Sequence, residues 1–227
     1  MPAHLRSRGA HGPLAATEET PDLHELGGRV GLALPNTVLW RRSDAPIDLL
    51  ADHDGLVRFA QRTGCVDEAG AAALRAAAAA RPDEARAELE RTVAQRERLY
   101  RLFNDLAGQR EPAAGDLAAL DAEAAEALGG SSVEADVAGG FRRRLGRSGS
   151  GLDAVRGPVA VAAQELLLTP GDLDRLKQCP GPQCGWLFVD ESRNRSRRWC
   201  EGHLCGNRDR VRRHAERKRR TRSEAAG

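Results

Sequence analysis

"QCPGPQCGWLFVDESRNRSRRWCEGHLCGNRDRVRRHAERKRRTR", residues 178–222, holds four of the chain's five cysteines in the pattern C-x4-C-x15-C-x4-C. Two short-looped thiol pairs of equal spacing suit one tetrahedral ion, each pair bending its chain around one edge of the tetrahedron. Four sulfurs at about 2.3 Å complete the shell of zinc. The neighbours agree. Pro180, Gly181 and Pro182 favour a tight turn, and Gly185 tolerates positive φ just after the second thiol. Trp186, Phe188 and Asp190 alternate as in a short strand. Gly206 and Asn207 stand as permissive and capping residues where a basic helix is expected to begin.

Other chemistries fit these thiols less well. Disulfides need an oxidising compartment, and thiol redox catalysis usually employs C-x-x-C. Hydrolytic zinc needs an open coordination position and a general base, which four thiolates close off. An iron–sulfur cluster suits four thiolates too, and His203, between the last two cysteines, stands either at the surface or in place of one ligand. Cys65 lies far from the group and reads as a half-buried small residue. The pattern assigns Cys179, Cys184, Cys200 and Cys205 to one structural Zn2+.

Arginine crowds around the second thiol pair. Residues 175–222 carry 15 Lys/Arg against 5 Asp/Glu, a net +10; the rest has 20 against 28, a net −8, which leaves the chain's +2. An acidic body with a basic end points to a polyanion as partner. The candidate contacts are Arg193, Arg195, Arg197, Arg198, Asn207, Arg208, Arg210, Arg212, Arg213, Arg217 and Lys218. If 206–222 is helical, Val211 and Ala215 form its apolar stripe and face the metal module, against Trp199. Trp186 and Trp199 are expected to cover the module's small core rather than to stack on bases.

Towards the N-terminus the composition is 41% hydrophobic with only 4% aromatic residues. Alanine supplies much of that, so the core is built from small aliphatics on helices. The expected fold is α+β and mostly helical. Residues 1–21 read as a disordered leader without the apolar run of a secretory signal. No stretch of about 18 apolar residues appears, so no membrane span and a cytoplasmic chain are expected. Val30, Leu32 and Leu34 alternate before Pro35, and Val38–Trp40 resume, as in a short strand or broken hairpin. Helices follow at 52–64, with Leu56, Phe59 and Ala60 on one face and Gly64 as stop, and at 67–80, ended before Pro82. The strongest period is at 83–108, where Leu89, Val93, Tyr100, Phe103 and Leu106 form a stripe and charges fill the other face. Another helix covers 115–130. Val133, Ala135 and Val137 with Phe141 and Leu145 around "AGG" suggest a glycine-turned hairpin, with a plain linker as the alternative. Residues 152–170 read as a helix, and Thr169, Pro170 and Asp172 start a short one, "PGDLDRLKQ".

At Cys205-Gly206-Asn207-Arg208, together with Cys179, Cys184, "GWLFVD" and "SRNRSRRWC", the sequence resembles the bacterial CGNR zinc-finger family. That family sets the finger behind an ABATE domain, a type of stress-induced transcription regulator. Asn36-Thr37, "IDLL" at 47–50 and "GPVAVAAQELL" look like that domain too, although Pro35 stands where the family has an acidic and an aromatic residue. The resemblance implies an ABATE-like domain over 22–174, the finger over 175–222 and a tail over 223–227. Together with the charge split it implies a transcription regulator whose zinc module presents an Arg-rich helix to duplex DNA. An RNA- or ribosome-associated role is the alternative. The N-terminal domain is open to a small-molecule effector or to self-association, and no nucleophile–base pair marks it as an enzyme.

Overall fold

The computed structural model describes residues 29–135, 139–145 and 151–224; the leader read over 1–21 lies outside them, as do 225–227 of the tail. Eight helices and three antiparallel two-stranded hairpins are seen among the described residues: α1 (Val30–Ala33), β1 (Val38–Leu39), β2 (Ile47–Asp48), α2 (His53–Arg62), α3 (Glu68–Ala80), α4 (Pro82–Ala107), α5 (Ala114–Gly129), β3 (Ser132–Ala135), β4 (Phe141–Arg144), α6 (Arg156–Leu167), α7 (Pro170–Leu173), β5 (Leu176–Gln178), β6 (Leu187–Val189) and α8 (Asn207–Glu224). The fold is α+β and mostly helical, as the alanine-rich composition implies.

Caps explain several boundaries. Asp52 Oδ1 accepts from Gly55 N at 2.7 Å and Asp67 Oδ1 from Gly70 N at 2.8 Å, which fixes the starts of α2 and α3. Pro82 ends α3 and opens α4, since its missing N–H costs nothing at a first helical position. The strands expected on either side of "AGG" pair, Val133 with Arg143 and Ala135 with Phe141, while Val137 and Ala138 lie outside the described residues.

Two expectations about element type fail. Residues 30–34 are no strand: Val30–Ala33 form a helical turn, followed by a 3-10 turn over Pro35–Thr37. The alternation was uninformative because Leu32, Ala33 and Leu34 are all fully buried, so no solvated face exists for period two to mark. Gly31 is what lets α1 lie on α6, because a Cβ there would stand 2.7 Å from Ala163 Cα. The second failure is "PGDLDRLKQ". The helix stops at Leu173, and Leu176–Gln178 turn into β5, where Leu176 pairs with Val189 and Gln178 with Leu187.

α4 is 26 residues long and forms the spine. Leu99, Leu102 and Phe103 are buried, with Leu89, Val93, Tyr100 and Leu106 packed at the edges of the core. The charges expected on a solvated face are partly inside. Glu88, Gln95 and Arg96 are buried, Arg96 making a forked pair with Asp48 at 2.6 and 2.9 Å, and Glu88 accepting from Arg156 Nε at 2.7 Å. These pairs tie α4 to β2 and α6 through charge-assisted bonds.

Strand β6 joins two cores. Leu187 and Val189 enter the main core with Leu176, while Trp186 and Phe188 enter a second core with Leu39 and the four clustered cysteines. The period-two alternation of side chains across a strand produces this division.

His53 opens α2 with Nε2 buried and without a hydrogen-bond partner among the described residues. Burial lowers its pKa below the usual value, against the opposing pull of Asp54, Asp52 and Glu88. The stability tied to the neutral ring is therefore complete above the unfolded value of about 6.5. It is lost as pH falls through the lower folded value. Replacing His53 with Gln should flatten the fall of the urea midpoint between about pH 7 and pH 5. Parallel curves for the two proteins would remove this assignment.

Candidate metal centre and the basic surface beside it

The first cysteine pair sits on the loop between β5 and β6. Cys179 N donates to Trp186 O at 2.7 Å, continuing the hairpin ladder, and Cys184 N to Gly181 O at 2.9 Å, closing the proline-rich turn. Gly185 follows at φ +80°, a conformation that a side chain would strain. In the second pair Cys200 precedes and Cys205 lies within a single π-helical turn over Gly202–Gly206, closed by Gly206 N to Glu201 O at 3.2 Å.

These two loops bring the four Sγ atoms within 4.8 Å of one another, all four residues buried. Cys184 and Cys200 are 3.5 Å apart and Cys200 and Cys205 3.7 Å apart at sulfur. A tetrahedron with about 2.3 Å to each sulfur has edges of about 3.8 Å, whereas a disulfide requires about 2.05 Å. The crowded sulfurs also perturb one another. Hydrogen bonds from Cys184, Cys200 and Cys205 push the Cys179 thiol far down, while the bond to Cys179 pushes Cys184 and Cys200 far up. The site is fitted for one structural zinc.

The surrounding chain is fastened by residues the sequence reading placed elsewhere. Lys177 Nζ contacts Asp190 Oδ2 at 2.5 Å and donates to Arg195 O at 2.8 Å and Arg197 O at 3.1 Å, which holds the loop between the cysteine pairs. Burial works to raise the Asp190 pKa, but the bonds from Lys177 and Ser192 outweigh it and keep the group ionised. Trp186 covers the core as expected, its Nε1 donating to Val38 O at 2.9 Å. Trp40, expected in a strand, falls just past β1, which ends at Leu39. It lies at φ +52° with its ring 3.7 Å from the Arg208 guanidinium carbon, a cation–π contact between the body and the start of α8. Nothing in the sequence near Trp40 signals this.

The candidate basic residues fall into distinct settings. Arg193, Arg195 and Arg198 are exposed on the loop after β6, and Asn207, Arg210, Arg217 and Lys218 are exposed on α8. Arg212 and Arg213 pair with Asp209, at 2.6 and 2.7 Å. Arg197 turns inward: its Nε donates to Trp199 O at 3.0 Å, its Nη2 reaches Cys200 O, and the guanidinium lies over the Phe188 ring. It supports the metal loop. Asn207 is already helical at φ −68° rather than a cap; the Glu201 carboxylate, bonded to Gly202 N, caps the preceding turn.

The apolar stripe expected on the last helix is absent. Val211 is 62% exposed, and Ala215 and His214 are exposed as well. Only the first turn is anchored, through Arg208 on Trp40 and the buried Asp209. The side chain of His203 lies outside the described ones, and no helix among the described residues is long and apolar enough to cross a membrane.

Comparison with known families places names on both parts. The CGNR zinc finger model matches residues 175–218, and the ABATE model, whose description is "Putative stress-induced transcription regulator", matches residues 28–170. Neither description is of an enzyme. No curated protein matches the chain.

Proposed function

Since the chain belongs to the ABATE family and ends in a CGNR zinc finger, we propose that it is a cytoplasmic transcription regulator whose finger, over 175–222, holds the Arg-rich helix α8 against duplex DNA, with the body over 22–174 as its support. The observation that carries this reading is the state of α8. It contains nine Lys/Arg against three Asp/Glu in 18 residues, and every side chain described from Arg210 to Arg219 is exposed. Such a helix repels itself and buries almost nothing, so packing gives no reason for it. Phosphates would relieve the repulsion through forked, charge-assisted bonds. These contacts position the protein without reading bases; Asn207 and Arg208, at the start of the helix, are the side chains with the chemistry for base edges.

Arg193, Arg195, Arg198, Arg210, Arg217 and Lys218 are exposed and pair with no carboxylate among the described residues. Six phosphate contacts predict a slope of about −5 in log K against log salt, at about 0.9 per contact. Fluorescence anisotropy of the zinc-loaded chain with duplex DNA, from about 50 to 200 mM salt, measures it. A chain ended at Gly206 keeps all four cysteines and should lose most of the affinity. Equal binding by that shortened chain would remove α8 from the interface, and preference for structured RNA at equal salt would move the reading to RNA.

A further inference from the structure

Beyond the basic surface of the finger, a cleft of about 550 Å³ opens where the finger meets the C-terminal end of α4. Its lining includes Arg42 and Arg110 from the body and Lys177, Arg197 and Arg198 from the finger, and no carboxylate. We propose that this cleft is a second phosphate-binding site, filled by the backbone of the same nucleic acid that α8 holds, and that Arg42 of the body is its main contact. The proposal rests on the reading of the finger as a nucleic-acid module.

The charge balance supports an anion. Asp190 offsets Lys177 from behind, and Asp105 pairs with Arg110 at 2.9 Å. The carbonyl end of α4 opposes with about half a charge. Five cations therefore leave roughly +2.5 facing the cleft, by the same helix-dipole value. Lys177 and Arg197 already serve backbone carbonyls, and Arg110 donates to Asn104 O at 3.2 Å as well as to Asp105. Of the two body arginines, Arg42 is the less committed, since it pairs with no carboxylate among the described residues. It is exposed, its guanidinium donates to Gln178 Oε1, and Gln178 in turn donates from Nε2 to Tyr100 OH at 3.1 Å.

Geometry makes the cleft continuous with α8. Arg42 N donates to Gln183 O at 3.1 Å, on the loop that carries Cys184, and two residues earlier Trp40 lies under Arg208. On the other side, Arg198 is close enough to the first turn of α8 to lower the Asp209 pKa, after the larger effects of Arg212 and Arg213. The cysteine knuckle is thus flanked by α8 on one side and the cleft on the other. A backbone crossing the knuckle would meet both.

The experiment uses the full zinc-loaded chain and duplex DNA. Arg42→Ala should lower the magnitude of the salt slope by about 1, and Arg42→Ala with Arg110→Ala by about 2, at about 0.9 per lost phosphate. Arg42→Lys should restore most of the single loss. Zinc content and melting temperature, read in parallel, confirm that the exposed substitutions leave the fold intact. If the slope is unchanged in Arg42→Ala while the chain ended at Gly206 loses binding, the cleft proposal is overturned and the reading of α8 stands. If neither change alters binding, the nucleic-acid reading fails and takes the cleft with it. Inorganic pyrophosphate is the second probe. Should it raise the melting temperature of the wild type but not of Arg42→Ala, with the duplex slope unchanged, the cleft serves a small phosphate compound and the proposal is overturned.

Discussion

Removing zinc with a strong chelator should shift the tryptophan emission to the red while leaving most of the far-UV helical signal in place. All three tryptophans, Trp40, Trp186 and Trp199, lie in or against the second core, which contains the four cysteines. The main core is built from α1 to α6, and it receives only Leu176, Leu187 and Val189 from the finger. Fluorescence therefore reads the finger and circular dichroism reads the body. Structural zinc in small modules is worth about 10–16 kcal/mol of apparent binding energy, far above what a few aromatic contacts replace. Cys184→Ser and Cys205→Ser should each lose the metal and give the same red shift, with α8 frayed because its anchor turn follows directly from Cys205. Proton competition for the thiolates should make metal loss easier as pH falls. Unchanged fluorescence after complete metal removal would refute the structural role.

The metal ligands were legible because ligand spacing is a local property: each pair lies within one turn of chain, and no distant residue is needed to recognise it. The long helix was legible for the same reason, since its stripe repeats within a few residues. What the sequence did not disclose is side chains whose partners are far along the chain. Glu88 and Arg96 look like ordinary members of a solvated helix face until α6 and β2 bring Arg156 and Asp48 against them. Trp40 resembled a strand residue because its contact, Arg208, is 168 positions away. The period-two reading of residues 30–34 failed for a different reason, burial on all sides, which erases the polar face that any periodicity depends on.

Replacing Asn36 with Ala should cost the protein a large part of its stability. Asn36 is fully buried; its Nδ2 donates to Leu187 O at 2.8 Å and its Oδ1 accepts from Leu187 N at 3.0 Å. The side-chain amide thus satisfies both peptide groups of one residue of β6, as a third strand beside the β5–β6 hairpin would. This gives the Asn36-Thr37 pair a structural use: both ends of the amide are occupied, and the 3-10 turn that begins at Pro35 aims it at the finger. Alanine leaves a buried donor and a buried acceptor without partners, at about 1–3 kcal/mol each. Typical domains hold about 5–15 kcal/mol in total. Aspartate is the sharper variant. It still accepts from Leu187 N but sets a second oxygen against Leu187 O and buries a charge, so it should destabilise at least as much despite equal size. Glutamine, one methylene longer, should not rescue. Urea midpoints for the zinc-loaded variants measure the effect. A loss under about 0.5 kcal/mol for Asn36→Ala, the level of ordinary surface changes, would mean that water replaces the amide and that Asn36 does not clamp the finger to the body.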